Sequence, residues 1–284
     1  MPEPIVFYDI PGHAKDKAWS HNTWKTRSVL LPTRFRMPSL RINLPRFCLN
    51  MKGLPYKTVW VKYPDIQTLC KKIGATPTST RRAGELLYTL PVIYDPNTQS
   101  VLSDSGAIAR YLDRTYPDAP TLIPPEADAL TAAFGAALWT VFNPDSDLVA
   151  IIMPAAFAQL REKSRPYFRE TREKRAGGKL EELAPAGSEK RAKCWETIRK
   201  GMNKIATKWL EADGKEKLFF MGDGVGITFA DITVAGFLMW FKKTLGENSE
   251  EWKVMIGWDD GRWAKFMRAF EKYEVVDEGE DVEL

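Results

Sequence analysis

The sequence predicts an α/β unit at the N-terminus followed by an all-α unit. Three observations carry this reading: strand-length apolar segments are confined to residues 1–116, a proline-rich stretch follows at 117–128, and from Ala129 to the end of the 284 residues strand-like alternation gives way to long helical patterns.

Within the first unit, "IVFYDI" from Ile5 is a short apolar strand ended by Pro11 and Gly12, and the alternation in "YKTVWVKY" from Tyr56 gives a second. A helix-sized gap separates them. "IQTLCKKIG" from Ile66 fits a short helix closed by Gly74, whereas "ATPTSTRRAGELLYTLP" is turn-rich and reads as irregular. "PVIYDP", the turn "NTQ" and "SVLSD" form a hairpin that passes directly into the helical "SGAIARYLDRTY". "PDAPTLIPPEAD" has four prolines in twelve residues and reads as a linker. Beyond it, "CWETIRKGMNKIATKWLE" and "ADITVAGFLMWFKKTL" are the clearest helices.

Composition bounds the function. With 44% hydrophobic and 27% charged residues the chain can bury one large core or two smaller ones, which predicts one or two soluble domains. Forty-one Lys and Arg against 37 Asp and Glu leave a net charge of +4, no general case for nucleic acid. Cys48, Cys70 and Cys194 lie far apart without metal-like spacing, and no apolar leader core follows "MPEPIVFYDIPGHAKD". A reducing cytoplasm, no metal and no membrane span are the expectations.

Much of the net charge comes from "RSVLLPTRFRMPSLRINLPRFCLN", starting at Arg27, with five arginines, three prolines and no acid. Pro32, Pro38 and Pro45 forbid a continuous helix, at about 3 kcal/mol or more each. Removing residues 28–46 joins the flanks as "NTWKTRFCLNMKGLPYKTVWV", in which Trp24, Phe47 and Met51 acquire four-residue helical spacing and Gly53 follows as a stop. Residues 28–46 therefore read as an insertion in a first helix, either a retained intron translated in frame or a genuine loop. A basic RNA- or membrane-binding arm built on Arg34, Phe35, Arg36, Arg41 and Arg46 is the competing reading.

Four local patterns point to chemistry. Leu90-Pro91 precedes a strand, where a proline can expose peptide groups to a peptide-like ligand or simply start the strand. Asp104 and Ser105 stand where the hairpin hands over to a helix; they can cap it, and free N–H groups with a hydroxyl there also suit a carboxylate. Thr228-x-x-Asp231 is a variant capping box opening an apolar helix. In "AWSHNTWKTR", Ser20, His21, Asn22 and Thr23 are polar groups between the first strand and the first helix, where a thiol could be ionised or a helix merely capped.

An α/β unit ending in hairpin and helix, joined to a helical unit and carrying these patterns, resembles the cytosolic glutathione transferases over essentially the whole chain. "WS.NTWKTR" is similar to the serine-bearing Fua branch of wood-decay fungi, related to bacterial etherases. The resemblance implies a thioredoxin-like glutathione-binding domain at 1–116 with the insertion at 28–46, a linker at 117–128 and a helical domain at 129–284. It implies a cis bond at Leu90-Pro91, with Leu90 pairing the cysteinyl part of glutathione, and Asp104 and Ser105 holding its γ-glutamyl end. It selects Ser20 as the group facing the sulfur, with Asn22 as a second polar contact, and makes glutathione the co-substrate. The expected activity is attack of the thiolate on electrophilic or aryl-ether carbons of hydrophobic aromatic molecules, in a cytoplasmic homodimer serving detoxification. A ligandin that binds hydrophobic phenolics without turnover is the alternative, and an interaction domain of a translation or regulatory factor fits less well.

Other features read as structural. "GDGVG" at Gly222–Gly226 lacks the βαβ context of a dinucleotide loop. Tyr8 lies within the first strand and Asp9 ends it; Cys48, which would suit thiol-transfer chemistry, falls beyond the loop and reads as a small buried apolar residue. "REKSRPYFRETREKRAGGK" interleaves glutamates with its arginines, as an exposed face does. Core packing explains most of the ten tryptophans, and some could line a pocket for aromatic ligands.

Overall fold

The computed structural model describes residues 2–14, 16–20, 45–80, 84–142 and 147–282. Both predicted strands form, β1 at Ile5–Asp9 and β2 at Tyr56–Trp60, paired in parallel with Ile5 opposite Tyr56. Between them lies α1, Pro45–Met51, and after β2 comes α2, Ile66–Lys72. The turn-rich stretch holds a small ladder, β3 (Ser79–Thr80) with β4 (Leu86–Leu87). The hairpin is β5 (Val92–Asp95) and β6 (Ser100–Ser103), and it hands over to α3 at Ser105–Thr115.

The linker ends in a short 3-10 turn, Pro125–Ala127, before α4, Asp128–Thr140. The helical part continues with α5 (Val149–Gln159), α6 (Arg165–Ala176), α7 (Glu189–Lys204), α8 (Phe229–Leu245), α9 (Glu250–Ile256) and α10 (Trp258–Arg268). A thioredoxin-like α/β domain thus precedes a helical one. α8 is the axis of the helical core: it is apolar nearly all round, and every residue from Phe229 to Phe241 is buried. α4 is almost as apolar, yet Leu138 is its one buried residue and Leu130 is 72% exposed.

Alternation did not announce one strand. β7, Glu280–Asp281, returns from the helical domain and pairs in parallel with β2, so that the main sheet runs β6-β5-β1-β2-β7. A two-residue charged strand carries no period, and side chains hold it instead. Asp277 accepts from Thr58 N (2.7 Å) and from the Thr58 hydroxyl. Trp60 Nε1 donates to Glu278 O (2.8 Å), and Asn50 Nδ2 donates to the carbonyls of Tyr273 and Val275. Gly279 fits because any Cβ there would lie 2.5 Å from Trp60 Nε1 and 2.6 Å from Thr58 O, at a φ of +61° that other residues do not adopt easily. The otherwise open edge of β2 is covered by the chain's own tail.

Arg46, which the sequence reading places at the end of the expected insertion, is built into this framework. Its side chain is fully buried and donates to Asp9, also fully buried, at 2.9 Å, to Thr58 Oγ1 at 3.3 Å and to Asp277 at 3.4 Å. Its guanidinium lies 4.8 Å from the Phe7 ring centroid and 5.5 Å from those of Tyr56 and Trp60. Burial works against its charge, but Asp9, Tyr56 and Asp277 together outweigh it and hold the pKa above the ordinary arginine value. Deleting 28–46 would put Arg27 next to Phe47, an arginine at the same sequence position relative to that residue.

The Thr228–Asp231 pattern forms as read. Asp231, 0% exposed, accepts from Thr228 N (2.8 Å) and Oγ1 (2.7 Å) at the start of α8 and from Phe220 N (2.8 Å) in the preceding loop. Burial raises its pKa from an ordinary 3.8 to about 6, the hydrogen bonds offsetting only part of that. A raised carboxyl pKa contributes stability that is complete below the unfolded value and lost as pH rises through the folded one. Denaturation of wild type and Asp231→Asn is expected to show wild type losing about 1–3 kcal/mol relative to the variant between pH 4 and pH 7; parallel pH curves would remove the buried-carboxylate account.

Candidate functional site

Strand direction gathers the site. β1 runs to its end at Asp9; β5 is antiparallel to it, with Tyr8 opposite Val92, and so begins at the same end; β6 is antiparallel to β5, with Val92 opposite Ser103, and so finishes there. The residues just outside these strand ends are therefore neighbours: the loop after Asp9, Leu90-Pro91 before β5, and Asp104-Ser105 after β6.

Leu90-Pro91 is a cis peptide bond, and Leu90 is 1% exposed. Asp104 adopts φ +74°, a left-handed conformation that Asp tolerates better than most residues. Its Oδ1 accepts from Gly106 N and Ala107 N, both at 3.1 Å, so it caps α3 as its residue type predicts. Ser105 is buried as the first residue of that helix.

The loop after β1 doubles back. Pro11 pairs with Ala18 in antiparallel fashion, Gly12 N donates to Lys17 O (2.8 Å) and Lys17 N to Ala14 O (2.8 Å), which returns Ser20 to the level of the strand end. Ser20 is completely buried. Asn22, His21 and Thr23 lie outside the described residues, as does nearly all of the 28–46 stretch. The structure thus brings Ser20, Leu90, Pro91, Asp104 and Ser105 to one end of the sheet.

The groups set aside in the sequence reading are buried or otherwise engaged. Burial, then Tyr94 and Cys70, raise the Tyr8 pKa, so the phenol holds its proton. Asp9 is committed to Arg46. Cys48 is fully buried in α1, and burial pushes its thiol well above its ordinary value, the opposite of an activated nucleophile. Among the described residues no cluster of His, Cys, Asp and Glu could hold a metal ion, and no helix is long and apolar enough to cross a membrane. Sequence reasoning gave Arg46 only a place in a basic arm and passed over Trp19, which is 1% exposed beside Ser20. Neither belongs to a spaced motif, and the signal for Arg46 was only that it follows Pro45 at the start of an apolar helix.

Comparison with known proteins agrees with this architecture. A family model described as glutathione S-transferase, C-terminal domain, matches residues 129–273, and one described as glutathione S-transferase, N-terminal domain, matches residues 39–120. A glutathione S-transferase of Ceriporiopsis subvermispora, whose structure was solved in complex with glutathione, is 54% identical and superposes with a TM-score of 0.84 over 97% of this chain and 99% of that one. Glutathione transferase GSTFuA3 of Phanerochaete chrysosporium is 41% identical, with a TM-score of 0.82 over 98% and 100% of the two chains. The glutathione S-transferase-like protein ustS of Aspergillus flavus is 29% identical, spanning 94% of this chain and 89% of its own length. The resemblance to the fungal Fua branch is borne out, and the chain belongs to the glutathione S-transferase family.

Proposed function

We propose that this chain is a serine-type glutathione transferase: it binds glutathione at the strand ends and uses Ser20 to stabilise its thiolate for attack on electrophilic or aryl-ether carbons of hydrophobic molecules. The observation that carries the reading is the convergence of Leu90, Asp104 and Ser105 with the loop that ends in Ser20. In this reading residues 1–116 bind glutathione, 28–46 are an insertion, 117–128 are the linker and 129–284 complete the acceptor site.

The chemistry follows from the groups present. The peptide of Leu90, immediately before β5, pairs with the cysteinyl backbone of glutathione as an added strand does. The Ser105 hydroxyl at the positive end of α3 takes the γ-glutamyl carboxylate, since the dipole at a helix start favours an anion. Both capping bonds fall on Asp104 Oδ1, so Oδ2 serves the ligand's ammonium. Glutathione's thiol gives its proton to solvent, and the Ser20 hydroxyl, with Asn22 as a second contact, donates a hydrogen bond to the thiolate. The thiolate's electron pair forms the new C–S bond while the leaving group departs with the electrons of the bond that breaks, as a phenoxide in an aryl ether, and is then protonated by water. The gain comes from positioning and from the greater thiolate fraction.

Carriage of hydrophobic aromatic compounds is the second reading, favoured by the half-buried group of Phe134, Trp209 and Phe220, with ring centroids at 5.5 and 4.5 Å from Phe134, beside exposed Met221 and Val225. A cytoplasmic homodimer accords with the solvent-facing apolar side of α4, and light scattering of Leu130→Asp is expected to report a monomer where wild type is a dimer. Two dimers, or two monomers, would separate Leu130 from assembly.

Two assays test the activity. Ser20→Ala is expected to lower kcat about 100-fold, the scale of losing one donor to a developing anion, with calorimetric glutathione affinity within a few-fold of wild type. Unchanged kcat would remove Ser20 from the chemistry. The chain lacking 28–46 is expected to bind glutathione as the full chain does; binding by neither, with retention of aromatic ligands, would favour the carrier.

A further inference from the structure

We propose that the helical domain sets the geometry of the thiolate-stabilising loop, and that Lys243 is its positioning residue, acting through Asp16. The inference rests on the site reading above.

The loop from Pro11 to Ser20 is held by the other domain as well as by its own bonds. Lys243, near the end of α8, forms an ion pair with Asp16 at the loop's tip. Gln159, at the end of α5, accepts from His13 N at 2.8 Å, and Leu160 pairs with Gly12. From the tail, Glu278 O accepts from Lys17 Nζ at 3.2 Å. Three separate parts of the helical domain thus grip a stretch of ten residues whose last member is Ser20.

Two features make the grip specific. Asp16 Oδ1 is buried without a hydrogen-bond partner, so the ion pair through Oδ2 is what balances this carboxylate. Among the described residues, Lys242 is engaged by Glu274 and Lys17 reaches a carbonyl. Gly12 leaves the space that the Trp19 ring occupies. A Cβ there would lie 2.2 Å from Trp19 Cδ1 and 2.9 Å from Gln159 O, closer than atoms can approach, and Trp19 is covalently next to Ser20. A displacement at either contact is passed to Ser20 directly.

The test measures the thiolate absorbance of bound glutathione against pH in the full chain, together with glutathione affinity and amide hydrogen exchange at Gly12 and His13. Lys243→Met keeps the aliphatic stem and removes the charge; Gly12→Ala disturbs the same loop without touching a charge; Lys243→Arg is the conservative rescue. Both disruptive variants are expected to speed exchange in the loop and lower the thiolate fraction at neutral pH roughly 10-fold while glutathione affinity stays within a few-fold, and Lys243→Arg to restore both. An unchanged thiolate fraction in Lys243→Met and Gly12→Ala overturns the inference.

Ser20→Ala separates this claim from the one it rests on. If Ser20→Ala lowers the thiolate fraction and Lys243→Met does not, the positioning role fails and the serine stands. Should Lys243→Met lower it while Ser20→Ala leaves it unchanged, the loop is the positioning element but another group faces the sulfur. Absence of any thiolate band in the unaltered chain overturns both.

Discussion

The buried ion pair between Asp9 and Arg46 is the constraint on which the rest of the structure depends. Two charges with no exposed surface are costly to desolvate, and they persist only where each finds its partner and its remaining hydrogen bonds. Here those needs draw four separate pieces of chain together. Asp9 ends β1, Arg46 begins α1, Thr58 lies in β2 and Asp277 arrives from the tail. The aromatic rings of Phe7, Tyr56 and Trp60 close around the guanidinium and keep water out. Removing one charge would leave the other buried and uncompensated, so the arrangement is held by the cost of breaking it more than by the gain of making it.

The site inherits its geometry from that point. Because β1 is anchored at Asp9, the loop that follows starts from a fixed place, and the antiparallel neighbours bring Leu90-Pro91 and Asp104-Ser105 to the same end of the sheet. Only the loop is then free to vary, and it is pinned by contacts from the helical domain. The tail has a double function: it covers the β2 edge and delivers Asp277 to Arg46. Architecture common to a family thus meets details carried by individual side chains.

Most of the fold was legible in the sequence because local signals and tertiary demands coincide. The apolar strands at Ile5 and Tyr56, the hairpin before Asp104, the linker prolines and the box at Thr228–Asp231 each announce themselves through period, turn chemistry or capping. What was not legible depends on long-range pairing. Glu280–Asp281 has no strand pattern and pairs only because Asp277, Gly279 and the carbonyl of Glu278 dock against β2. Arg46 looked like one of five arginines in a solvated segment; its burial follows from Asp9, thirty-seven residues away. In the site, residue types at Leu90-Pro91 and Asp104-Ser105 were readable, whereas the roles of Gly12, Asp16 and Lys243 come from contacts between domains that no spacing encodes.

The most direct measurement is equilibrium denaturation of Arg46→Met. If the Asp9–Arg46 pair anchors the platform, this variant loses about 3–5 kcal/mol, as expected for stranding a buried carboxylate, and Asp9→Asn combined with it recovers a substantial part. A loss under about 1 kcal/mol, with no recovery in the double variant, would contradict the account, because an exposed and dispensable ion pair behaves that way.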